Sequence, residues 1–200
     1  MRLIYIRDEG GVFKHILSFL LATVLLLAID TTTIAAEQTS QSNKITQHVN
    51  ILEGEEGINT IAEIYNISYN EAVDKYNELR AGVDRVEERY VHYNAGNGYT
   101  IEAGCLVRVQ CGSGHCNFVE ITEKWSKAIG SGSYTWDDFY TYANIEGTLK
   151  DTIRFKTRGN LEVATTESAS AGFEAAGFTF GGSIGTTYYY RKTISFEKTT

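Results

Sequence analysis

The side chains that could do chemistry are few and scattered. The 200-residue chain holds four histidines and three cysteines beside 25 acids. His15 lies in an N-terminal apolar run, and His48, His92 and His115 fall in three separate later segments. No serine elbow, HExxH pair or phosphate-cradling glycine loop occurs. Asp137, Asp138 and Glu146 come nearest to the paired carboxylates of glycoside hydrolysis, which stand roughly 5–9.5 Å apart. Adjacent aspartates in a polar turn are far commoner as surface residues. The chain therefore reads as a non-enzyme with no cofactor.

The cysteines point to a crosslink. Cys105 and Cys111 share a strand, so six residues at ~3.3 Å each hold them about 20 Å apart, beyond bridging distance. Cys111 and Cys116 flank Gly112-Ser113-Gly114-His115, a tight reversal that faces them across a hairpin. A Cys111–Cys116 disulfide is expected, with Cys105 free or buried. Cys111, His115 and Cys116 lack the paired spacing of zinc motifs, so no metal site is expected.

Aromatic residues supply a second kind of chemistry. Tyr134, Trp136, Tyr140 and Tyr142 are all even-numbered and would share one face of a continuous strand. That face is either a sugar-stacking platform or a buried cross-strand ladder. Thr148–Lys156 and Asn160–Thr166 read as a hairpin around Thr157-Arg158-Gly159. Farther on, Phe178, Phe180, Ile184, Tyr188, Tyr190, Ile194 and Phe196 take the even face and small Gly, Ser and Thr residues the odd one. Two readings stay open there: a sandwich strand with both faces covered, or a membrane-inserting hairpin of a pore former.

The elements that must position these groups begin with a helix pair. Ile58, Ile61, Ala62, Ile64 and Tyr65 make one apolar helical face. Ser68 and Glu71 form a capping box that opens a second helix, whose apolar face is Ala72, Val73 and Tyr76. Short helices of this kind are marginal alone and need a partner layer. Val49 and Ile51 alternate before them. After them Leu79, Val83, Val86 and Tyr90 continue at helical spacing, Asn94–Gly98 is a loop, and Tyr99–Cys111 is a strand. Phe118–Ile129 reads as a strand turning into a short helix. The expected unit is strand, helix, helix, strand.

This unit resembles the lysin-motif (LysM) family, small modules that bind N-acetylglucosamine-containing glycans such as peptidoglycan and chitin. The resemblance covers residues 45–110. It rests on Val49, the turn Gly54-Glu55-Glu56-Gly57-Ile58, Ile61-Ala62 followed by Tyr65, Asn77, and a last strand with Ile101, Gly104, Val107 and Val109. The turn glycine stands one residue early, so Glu56 and Gly57 occupy the family's aspartate and small-hydroxyl positions. The insertion 78–98 replaces a short link, and the usual proline after the last strand is missing. The resemblance implies a shallow sugar groove formed by the loops Glu53–Ile58 and Asn77–Gly98, with Gly54, Glu55, Glu56, Gly57, Ile58 and Asn77 as its glycan-binding residues.

Charge and targeting narrow the partner class. The net charge is −7. Residues 37–110 carry six basic and twelve acidic side chains, and residues 111–200 nine and ten. An acidic module argues against nucleic acid, whose phosphates call for basic surface, and against attraction to anionic lipid. Ile16–Ile29 is a fourteen-residue run, apolar apart from Ser18 and Thr23, behind Arg2, Arg7 and Lys14 and before Thr33-Ile34-Ala35-Ala36. At 1.5 Å per residue it reaches about 21 Å, short of the ~30 Å hydrocarbon core, so a cleaved signal peptide is expected.

The expected architecture is α+β: a signal peptide at 1–36, a flexible segment at 37–44, a βααβ LysM-like domain at 45–111 with insertion 78–98, a Cys hairpin and linker at 112–133, and an antiparallel β domain at 134–200. The expected function is a secreted, cell-wall-associated protein binding peptidoglycan or a chitin-type glycan. A secreted pore-forming or bacteriocin-like β-protein acting on membranes, and a structural surface protein without glycan binding, are the alternatives.

Overall fold

A computed structural model describes residues 44–166 and 170–200. The expected leader and nearly all of the polar segment 37–44 lie outside the described residues. The chain runs β1 (Ile45–Ile51), α1 (Gly54–Tyr65), α2 (Tyr69–Arg80), β2 (Arg85–Gly96), β3 (Tyr99–Gly112), β4 (His115–Ile129), β5 (Ser133–Glu146), β6 (Thr152–Thr165), α3 (Ser170–Ala175), β7 (Thr179–Ile184) and β8 (Thr187–Thr199).

The strands form two antiparallel four-stranded sheets, in the orders β1-β2-β3-β4 and β5-β6-β8-β7. This overturns the expected α+β fold, with its separate βααβ domain closed by Tyr99–Cys111. The protein is mostly antiparallel β, and β1 pairs with β2, from Ile45↔Tyr93 to Ile51↔Glu87. Lys44–Thr200 is one unit. The inner face of the first sheet (Val91, Ile101, Cys105, Val107) shares one core with that of the second (Phe155, Leu161, Ile194, Phe196). The stretch 112–133 is mostly strand β4, paired to β3 from Gly112↔His115 to Thr100↔Ile129.

The helices form as their sequence dictates. Asn66 ends α1 in the left-handed conformation (φ 52°), which asparagine tolerates. The capping box is complete: Ser68 N–H donates to Glu71 Oε2 at 2.9 Å and Glu71 N–H to Ser68 Oγ at 3.4 Å. Their apolar faces, with Ile61, Ala72, Tyr76 and Leu79 buried, pack over Val86 and Leu106 on the outer face of the first sheet. The result is three layers: helices, sheet, sheet.

Strand β2 replaces the expected helical insertion because its inward face hides its period. The inward positions are Arg85, Glu87, Arg89, Val91, Tyr93 and Ala95, so three charges stand where alternation calls for apolar residues. They are tolerated because they pair. Glu87, only 1% exposed, accepts from Arg85 Nε at 2.6 Å and Arg89 Nε at 2.7 Å, and Arg89 lies over the Phe118 ring at 4.5 Å. Helical spacing from Leu79 to Tyr90 is coincidental beyond Arg80, where Gly82 (φ 73°) turns the chain.

Three strand readings change for related reasons. The expected hairpin at Thr157-Arg158-Gly159 is the middle of one strand, β6, with Thr157 buried inward. Gly159 is no turn residue. A Cβ there would meet the Trp136 ring at 2.6 Å and Asp137 O at 2.5 Å, so the glycine marks a close approach. A bulge at Phe139 shifts the β5–β6 register between Asp138↔Gly159 and Tyr140↔Arg158. Tyr134 and Trp136 therefore pack against the core, while Tyr140 and Tyr142 turn to the opposite face beside Arg158 and Lys156. Phe118–Ile129 stays extended throughout, with register shifts that leave Val119 and Thr122 without ladder partners. At the C-terminal end, Tyr190, Ile194 and Phe196 of β8 are core residues.

Candidate functional site

Among the described residues, helices cover the outer face of the first sheet at one end only. From beneath them outward the register lines up three rows of side chains across the four strands: Asn50–Glu88–Leu106–Glu123, His48–Tyr90–Gly104–Trp125, and Thr46–His92–Glu102–Lys127. Alternation puts all of them on one side of the sheet.

Gly104 is the pivot. The Trp125 indole lies over it, in the space a Cβ would need. From that position Trp125 Nε1 donates to Glu102 Oε1 at 2.9 Å. Glu102 Oε2 lies 2.9 Å from His92 Nε2, and Glu102 Oε1 3.0 Å from Lys127 Nζ. Glu102 is 5% exposed. Burial pushes its pKa up, but the donors Trp125, His92 and Lys127 outweigh that and hold the carboxyl below its ordinary range. The neighbouring rings complete a polar-aromatic surface. His48 stacks on Tyr90 with centroids 4.9 Å apart, and His92 stands 4.7 Å from His48 and 5.0 Å from Tyr90.

Between this surface and α1 lies a cavity of about 220 Å³, lined by Thr60, Glu63 and Ile64 of α1, Glu88 of β2, and Trp125, Ser126 and Lys127 of β4. Glu88 accepts from Asn50 Nδ2 at 2.7 Å. Its pKa is raised, first by burial and then by Glu102 and Glu63, against the lowering pull of Asn50 and Lys127. A larger cavity of about 390 Å³ opens between β4 and β5, with Ile121–Lys124 on one wall and Ala143–Ile145 on the other. No aromatic ring lines it, and we therefore place the candidate site at the smaller cavity.

The residues named by the resemblance sit elsewhere. Gly54, Glu55 and Glu56 are exposed in the first turn of α1, Gly57 is buried and Ile58 half-buried. A Cβ at Gly57 would meet Leu52 C at 2.9 Å, so that glycine serves helix packing. Asn77 is exposed on α2, and among the described residues no hydrogen bond joins it to the turn. Tyr76 makes the link instead, donating to Leu52 O at 3.2 Å. Asp137, Asp138 and Glu146 do not converge. Thr141 Oγ1 donates to Asp138 at 3.0 Å, and Glu146 lies 3.1 Å from Arg154, about 26 Å along the strand. Cys111 and Cys116 form the expected disulfide, and Cys105 is free and buried. Among the described residues no group of three or more His, Cys, Asp or Glu is arranged to hold a metal ion.

The aromatic surface escaped sequence reading because its members come from β1, β2 and β4 and meet only through the register. Two signals did exist in β3: an acid, Glu102, inside an apolar run, and a mid-strand glycine, Gly104, which marks close approach. No protein-family model, no curated protein and no solved structure matches this chain.

Proposed function

We propose that this protein is a secreted, cell-wall-associated binder of N-acetylglucosamine-containing glycan, peptidoglycan or chitin in type, and that it takes the sugar on the Trp125 face of the first sheet. The observation that carries the reading is the indole held over Gly104 at the edge of a cavity with carboxylates and hydrogen-bonding groups. Sugar rings offer an apolar face for stacking and a rim of hydroxyls for polar groups. The disulfide supports an exported chain, since such bonds persist in oxidising compartments. The turn Gly54–Ile58 with Asn77, which the LysM resemblance implies, is the competing place on the same molecule. It offers acids and a helix start but no aromatic platform.

Sedimentation of the whole protein with insoluble peptidoglycan and with chitin tests this. Binding is expected, with loss in Trp125→Ala and retention in Glu56→Ala and Asn77→Ala. Loss in the latter two with retention in Trp125→Ala would move the site to the turn. No binding to either polymer would end the glycan reading.

The membrane-active alternative draws on one observation. Phe180 and Ile184 are 54% and 75% exposed in the β7–β8 hairpin. Dye release from liposomes tests it, and an absence of leakage removes it.

A further inference from the structure

We infer that the cavity beneath α1 selects a glucosamine unit whose 2-amino group is free, with the Trp125 indole against the sugar ring and the ammonium between Glu88 and Glu63. This rests on the glycan reading above and assigns the cavity to those units of such a glycan that lack the acetyl group.

Size comes first. At about 220 Å³ the cavity is below the ~300–1,000 Å³ of pockets for drug-sized ligands, which suits a single ring rather than an extended chain. The charges at its walls come next. Lys127, the one base in the lining, is already within 3.0 Å of Glu102. Neither Glu88 nor Glu63 has a basic partner at ion-pair distance among the described residues. Glu88 has the Asn50 amide and the pull of Lys127 in its favour, and burial together with Glu102 and Glu63 outweighs both, so its charge is disfavoured.

An acetamido group brought there would add no positive charge beside the two carboxylates and would desolvate Glu88 further. An anionic ligand would add like-charge repulsion. An ammonium removes the repulsion and forms charge-assisted hydrogen bonds, while the indole face favours a nearby cation. A free amine on a pyranose presents the two features, ring and cation, to the two kinds of wall.

The test uses the whole protein and two soluble probes, a glucosamine hexamer and its fully N-acetylated counterpart, followed by calorimetry. A lysine hexamer serves as the charge control. The amine form is expected to bind about tenfold tighter than the acetylated one, and Glu88→Gln and Glu63→Gln each to erase most of that preference. Glu63 is exposed, so Glu63→Gln leaves folding intact and isolates the charge effect.

If the acetylated hexamer binds equally or better, or if both Gln variants keep the preference, the inference is overturned while the glycan reading stands. If the lysine hexamer binds as tightly as the glucosamine hexamer and Trp125→Phe changes nothing, the cavity reads charge alone and the inference is again overturned. If neither sugar hexamer binds, the glycan reading fails and the inference fails with it.

Discussion

Gly104 and Trp125 face each other across the β3–β4 ladder, and the indole fills the space that a side chain at position 104 would need. The absence of a side chain at one residue thus sets the orientation of the other and lets Trp125 Nε1 reach Glu102. Gly104→Ala is expected to lift the ring, break that hydrogen bond and cost about 1–3 kcal/mol from overpacking. Urea unfolding and tryptophan emission check this together. Unchanged stability with an unchanged spectrum would mean that the ring is not held as described.

Glu87 carries a different load. It is buried between the sheets with Arg85 and Arg89 as its partners. Glu87→Ala leaves two guanidinium groups without their carboxylate and is expected to destabilise by roughly 3–5 kcal/mol, the range for breaking a buried ion pair from one side. Replacing Arg85, Glu87 and Arg89 together with apolar residues of similar size is expected to restore much of that loss. A loss of unfolding free energy in denaturant of under about 0.5 kcal/mol for the single variant would contradict it.

The same trio explains what the sequence showed and what it hid. Helices α1 and α2 were legible because their apolar spacing, the Ser68–Glu71 box and the Asn66 stop are local signals. The Cys111–Cys116 pairing was legible because a short glycine-rich turn sets it. Strand β2 was hidden because Glu87 and Arg89 occupy inward positions and become acceptable only after pairing in three dimensions. Trp136 and Asp137 against Gly159 turned a mid-strand glycine into an apparent hairpin, and the bulge at Phe139 inverted the facing of Tyr140 and Tyr142. The candidate site depends on the register of four strands, information that no single segment carries.

Acid should loosen the candidate site. The folded-state pKa of Glu102 is held below its unfolded value, so its contribution is fully present above the unfolded pKa and is lost as pH falls through the folded one. Protonation removes the negative charge on which Trp125, His92 and Lys127 converge. Tryptophan emission is expected to change, and stability to fall, as pH drops below the ordinary carboxylate range. In Glu102→Gln the acid-dependent emission change should vanish. An identical acid transition in that variant would assign it to another group.

The three cysteines should be distinguishable by chemistry alone. The disulfide closes a hairpin whose turn, Ser113-Gly114, has both residues at positive φ (52° and 86°), the backbone a two-residue reversal favours. Cys111 N–H also donates to Asp84 Oδ2 at 2.5 Å, and its sulfur lies 3.5 Å from an Arg85 nitrogen. These contacts outlast reduction, so cleaving the bond is expected to cost about 2 kcal/mol, as for a short closed loop, and to leave the fold in place. Cys105 sits on the inner face of β3, where burial, against a lowering effect of Arg89, pushes its thiol pKa up to about 12. Thiolate is the reactive form, so Cys105 should resist both labelling and exchange with the hairpin. A thiol-specific reagent should therefore label no cysteine in the native oxidised protein, one after unfolding without reductant, and two in the native protein after mild reduction. Labelling of Cys105 in the native state would show that the core between the two sheets opens, and unfolding on reduction would show that the crosslink, rather than its turn and ladder, holds the β3–β4 hairpin.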